Sequence, residues 1–120
     1  MIVLWCRVGL EPELIKIDGS LKSMQKLVGG LIEPVYCLEE NAVLLCNEEG
    51  LVLSMPFNRF VNEQPIFGDF FICGLGEESF IDLPKNFLYK QYMNLGYDSP
   101  IISIVVNQNV EFEESLEYLL

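Results

Sequence analysis

The chain has 120 residues, 51% of them hydrophobic, with 18 acidic against 7 basic side chains, no histidine and a formal net charge of −11. That length supports one domain with one core, and that apolar content excludes a disordered chain. The missing histidine excludes Ser-His-Asp triads, Cys-His nucleophile pairs and His-ligated metals, and the charge opposes direct binding to a phosphate backbone, which Lys and Arg neutralise.

The first segment, "IVLWCRV" (2–8), is rich in β-branched and aromatic residues and predicts a strand. It lacks the basic stretch and long apolar stretch of a signal peptide, and no apolar run reaches the roughly 18 residues of a membrane span. A cytoplasmic protein is expected. "GLEP" turns the chain into "ELIKI" (13–17), which alternates as a half-buried strand does. In "DGSLKSMQKLVGG" the period changes: Leu21, Met24, Leu27 and Val28 share one helical face and are expected to pack on the sheet. Ser20 can cap that helix, and Gly29 or Gly30 can stop it in the left-handed conformation.

Three strands are predicted next, over 31–38, 42–46 and 51–55, with "EEN" and "NEEG" as the turns between them. Gly50 suits a hairpin loop with positive φ, and Pro34 belongs at a sheet edge or a bulge because it cannot donate to a ladder. "PFNRFVNEQP" (56–65) reads as irregular, "IFGDFFICG" (66–74) as a strand with Gly68 at a bulge or close approach, and "LGEESFID" as a loop. A second helix is predicted over 83–96, capped by Asp82, then a buried strand over 100–106. A last helical face carries Phe112, Leu116 and Leu119. The predicted fold is a small single α+β domain, with six or seven mostly antiparallel strands and two or three helices.

Cys6, Cys37, Cys46 and Cys73 lie in or beside separate strand-like runs with no CxxC spacing, which fits buried reduced thiols better than a metal site. No metal or cofactor is expected. The adjacent carboxylates Glu39 and Glu40, Glu48 and Glu49, and Glu77 and Glu78 sit in turns, where solvation keeps their pKa ordinary and general acid–base work unfavoured. "GLGEES" (74–79) lacks the third glycine of a dinucleotide fingerprint and places glutamates where a pyrophosphate would lie. An enzyme is therefore not expected.

"MPFNRF" (55–60) has two readings. Asn58 can close a turn on backbone groups while Arg59 pairs with a nearby glutamate. Alternatively, Arg59 grips an anion, Asn58 reads a ring edge, and Phe57 or Phe60 stacks on the ligand. The candidate site then comprises Asn47, Gly50, Phe57, Asn58, Arg59, Phe60, Gly68 and Asp69. The turn at 47–50 and the loop at 56–59 would lie at opposite ends of a strand over 51–55. Joining them requires either a fold-back of 56–65 or a second subunit, and a homodimer or higher homo-oligomer is expected.

The pieces "IDGSL" (17–21), "LVGGLIE" (27–33), "NEEG" (47–50), "PFNR" (56–59) and "GDFF" (68–71), in this order, resemble the family called domain of unknown function 3846. The resemblance covers about residues 1–75. Residues 76–120 are less typical of the family. It implies a protein of phages, plasmids and integrative elements of Gram-positive bacteria, acting in the host cytoplasm and often encoded beside anti-restriction genes. Two non-enzymatic functions follow as expectations. One is a sponge that sequesters a nucleotide-derived immune signal. The other is an acidic nucleic-acid mimic that blocks a basic restriction or CRISPR protein, using Glu77, Glu78, Glu111, Glu113, Glu114 and Glu117. A plasmid maintenance or transfer role is a third class.

Overall fold

In a computed structural model the described residues are 1–38 and 41–87. Their elements are β1 (Ile2–Cys6), β2 (Glu13–Lys16), α1 (Leu21–Val28), β3 (Ile32–Val35), β4 (Ala42–Asn47), β5 (Phe57–Val61), β6 (Gln64–Phe67), β7 (Phe70–Leu75) and β8 (Phe80–Ile81). The main sheet runs β2-β1-β7-β4-β3, with β8 on β7, and β5 and β6 form a separate hairpin. Every pairing is antiparallel. The fold is therefore dominated by antiparallel sheet, with one helix among the described residues.

Period-two alternation divides the core into two layers. Val3, Val43, Leu45, Phe71 and Cys73 face α1, where Met24 and Val28 are buried against them. Ile2, Leu4, Cys6, Leu44, Phe70 and Ile72 face the other way and pack with Leu14, Val61, Ile66 and Leu83, so the hairpin closes the second face. The helix begins as its sequence predicts. Ser20 accepts a hydrogen bond from the Ser23 amide, and Asp18 Oδ1 accepts one from the Ser20 amide at 2.8 Å. It stops at Gly29, whose φ of 76° is left-handed. Leu21 departs from the predicted packing face. It sits on the first turn and is 56% exposed, while Leu27 is only partly buried against the core.

The largest correction concerns 51–55. This stretch is a turn, not a strand, and its amides bond backward: Leu53 to the Glu49 carbonyl, Ser54 to Leu51, and Met55 to Gly50. The reason is topological. β4 already has β3 on one side and β7 on the other, so no edge remains for a following strand. Gly50 is not at positive φ either. A Cβ there would lie 3.0 Å from the Phe67 carbonyl oxygen, so close approach rather than turn geometry requires the glycine.

The segment read as irregular, 56–65, instead holds β5 and the start of β6. Its two-residue loop, Asn62-Glu63, has φ of 48° and 71°, as a tight antiparallel hairpin needs. The run read as one strand over 66–74 is broken at Gly68, with φ of 81°. The loop read over 75–82 contains the short β8. Pro34 does lie on an edge strand, β3. The described start of the predicted helix over 83–96, residues 83–87, is not helical. Asp82, its expected cap, instead accepts the Ile2 amide at 2.9 Å. The rest of that helix, the strand over 100–106, the terminal helical face and Glu39 and Glu40 lie outside the described residues. Among the described residues no helix is long and apolar enough to cross a membrane.

Candidate functional site

The β5–β6 hairpin lies across the loop that joins β1 to β2, and "PFNR" is the contact. Asn58 Nδ2 donates to the Cys6 and Gly68 carbonyls, each at 2.9 Å. Its Oδ1 accepts from Arg59 Nε at 2.6 Å. The Arg59 guanidinium then reaches into the loop, donating through Nη2 to the Arg7 carbonyl at 3.1 Å and the Leu10 carbonyl at 2.7 Å. Arg59 is only 6% exposed, and its guanidinium carbon lies 6.0 Å from the centroid of the Phe70 ring. Asp69 completes the bracket from the other side, where its Oδ1 accepts the Val8 amide at 2.8 Å.

This arrangement follows from a general constraint. A loop carrying its carbonyls into a protein interior must have them satisfied, and an unpaired one costs about 1–3 kcal/mol. The planar guanidinium suits the task because its several donors serve two carbonyls at fixed geometry. Cys6, fully buried beside this bracket, has its thiol pKa raised from 9.0 to about 12 by burial, against the opposing influence of Arg59.

Asn47 forms a second bracket. It is buried, donates through Nδ2 to the Val28 carbonyl at 3.1 Å and accepts the Glu49 amide at 2.7 Å. One side chain thus closes the end of α1 and starts the turn after β4. The same pattern extends to acidic residues: Asp18, Asp69 and Asp82 each accept a backbone amide. The hydrogen bonds at Asp18, chiefly from the Ser20 amide, hold its carboxyl down from 3.8 to about 2.

The predicted site residues are therefore brought close within one chain. Gly50 packs on the Phe67 carbonyl, the Gly68 amide bonds to the Pro56 carbonyl at 2.7 Å, and Asn58 bonds to Gly68. With 51–55 a turn rather than a strand, Gly50 and the 56–59 loop are not held at opposite ends of a strand. The polar groups of Asn47, Asn58, Arg59 and Asp69, however, are turned onto the protein's own backbone. Of the two readings of "PFNR", Asn58 on backbone groups matches the turn-closing one. Arg59 bonds to the Arg7 and Leu10 carbonyls and to the Asn58 side chain.

Phe57 and Phe60 remain outside this bracket. Both are exposed, with ring centroids 5.1 Å apart, and Phe57 also lies edge-on to Phe67 at 5.7 Å. Beside them stands a feature that sequence reasoning missed by assigning it to a strand. Leu51, Val52 and Leu53 are 73%, 80% and 56% exposed on the turn. Its only advance signal was a continuous apolar run with no alternation. Glu77 and Glu78 are exposed in the turn between β7 and β8, while Glu111, Glu113, Glu114 and Glu117 lie outside the described residues.

No curated protein and no solved structure matches the chain. A family model does match, that of Domain of unknown function (DUF3846), over residues 1–95. The match extends past the series of short motifs into the region that follows β8, and it covers most of the sequence. The chain belongs to the DUF3846 family.

Proposed function

We propose that this protein is a non-enzymatic binding protein of a phage or other mobile element, which blocks a basic host-defence protein by direct contact in the cytoplasm. The observation that carries the reading is the division of its charges. Asp18, Asp69, Asp82 and Arg59 serve the fold, while Glu33, Glu48, Glu49, Glu63, Glu77 and Glu78 are exposed. Between residues 41 and 68 the one basic residue is Arg59, and it is buried. Carboxylates arrayed this way meet a basic surface with long-range attraction, which salt screens over about 8 Å at physiological ionic strength. Sequestration of a nucleotide-derived signal is the second reading. The exposed rings of Phe57 and Phe60 favour it, but its anion grip would have to come from residues other than Arg59.

The test is phage plating on hosts that carry a restriction or CRISPR system, with and without the expressed protein. Plating should rise, and the gain should be lost when Glu48, Glu49, Glu63, Glu77 and Glu78 are changed together to Gln. If plating rises unaltered with the neutralised protein, the contact is not electrostatic. Retention of a cyclic nucleotide or ADP-ribose derivative by the purified protein would move sequestration to first place.

A further inference from the structure

We infer that the turn at 51–53, together with Phe57 and Phe60, is a docking ridge for a protein that presents an apolar groove rimmed by Lys and Arg. The inference rests on the binding reading above and names the face that would make the contact. Five large apolar side chains, each close to half exposed or more, belong to one neighbourhood. Gly50 packs on Phe67, Phe67 meets Phe57, and Phe57 meets Phe60. The turn is held in shape by its own backbone hydrogen bonds, from Leu53, Ser54 and Met55. A scattered exposed leucine needs no explanation, whereas adjoining apolar residues on an ordered turn mark an interaction site.

Charge selects the occupant. Glu48 and Glu49 precede the ridge and Glu63 follows it, all three exposed, with no exposed cation between 41 and 68. The described exposed lysines, Lys16, Lys22, Lys26 and Lys85, lie outside that stretch of sequence. A second copy would bring another −11 against this rim. An anionic membrane would be repelled in the same way. A basic rim around an apolar groove satisfies both parts of the surface, with the apolar centre supplying contact area and the charges steering the approach.

The test uses the full chain and, as the probe, a synthetic helical-hairpin peptide whose Leu-lined groove is flanked by Lys. A photo-crosslinking residue replaces Val52, and a separate variant carries Leu51→Ser, Val52→Ser and Leu53→Ser. The cross-link is expected to form with the peptide. The peptide's affinity should fall roughly tenfold or more in the triple variant, at an unchanged melting temperature. A Glu-for-Lys peptide should not bind. A cross-link to a second copy, or to residues 88–120 of the same chain, would overturn the inference. So would equal binding of a Lys-only peptide or of the triple variant. If the triple variant still raised phage plating in full, the ridge would be wrong while the host-defence reading stood. If the unaltered protein raised no plating yet bound the peptide through Val52, the reverse would hold.

Discussion

Two adjoining stretches of this chain invert the usual relation between polarity and burial. Leu51, Val52 and Leu53 stand in solvent, and a few residues later Arg59 is buried with Asn58 beside it. The difference teaches where to look for function. The polar pair is engaged by carbonyls of Cys6, Arg7, Leu10 and Gly68, which is what a buried polar group needs in order to be tolerated at all. Among the described residues the apolar trio has no comparable partner. In this fold the motif residues hold the framework, and the unremarked apolar run is the candidate contact.

The comparison can be broken most forcefully from beneath the bracket. Phe70 is fully buried under the guanidinium on the hairpin-facing layer, so Phe70→Ala should destabilise by about 3–5 kcal/mol in urea unfolding. A loss below about 1 kcal/mol would mean that the hairpin does not close that face. On the opposite layer, Met24→Ala should cost about 2–5 kcal/mol, while Leu21→Ala, on the exposed first turn, should stay within about 0.5 kcal/mol. Equal effects at the two positions would restore the helical face read from periodicity. Removing the smaller bracket by Asn47→Ala leaves the Val28 carbonyl and the Glu49 amide without that partner and should cost about 1–3 kcal/mol. Leu51→Ser, Val52→Ser and Leu53→Ser should each shift stability by no more than about 0.5 kcal/mol, since nothing buried is lost.

The smallest effects are those of pH, and they act at both ends of the scale. The Asp18 carboxyl is held down from 3.8 to about 2, so its contribution is complete above 3.8 and lost as pH falls through about 2. Burial raises the Cys6 and Cys73 thiols from 9.0 to about 12 and Cys46 to about 11. Their neutral forms stabilise the fold below pH 9, and that contribution is lost as pH rises through 11 to 12. These groups should therefore add no pH dependence to the unfolding midpoint between pH 3.8 and 9.0. At pH 8, Cys6 and Cys73 should react with a thiol reagent only as fast as the protein unfolds.

Much of the frame was legible in the sequence where the signal was local. Ser20 and Gly29 announce the ends of α1 because caps act on neighbouring backbone groups. The β-branched and aromatic content of 2–8 marks β1 as a strand, and the alternation of 13–17 marks β2. Reading failed where long-range pairing decided. "LVLSM" has the composition of a strand, but β7, arriving from later in the chain, takes the place beside β4 that it would have filled. "PFNRFVNEQP" looks irregular because it mixes polar and apolar residues. Its hairpin depends on Asn62 and Glu63 adopting positive φ and on Asn58 and Arg59 facing inward. Part of the candidate set is close in space: Asn58 bonds to the Gly68 carbonyl, and Gly50 approaches the Phe67 carbonyl next to it. The direction in which the side chains point was not legible, since that is fixed by the 7–10 loop, far away in sequence.

The most direct test of the bracket is Arg59→Lys, which keeps the charge and removes the fork. The readout is amide hydrogen exchange along residues 7–12. In the parent, the Leu10 amide bonds to the Arg7 carbonyl and the Val8 amide to Asp69. If Arg59 serves the fold, the Val8 and Leu10 amides should exchange roughly tenfold faster or more in the variant, matching a loss of about 1.5–3 kcal/mol in local stability. Unchanged protection of both amides in Arg59→Lys would contradict the account and return Arg59 to the list of groups available for a ligand.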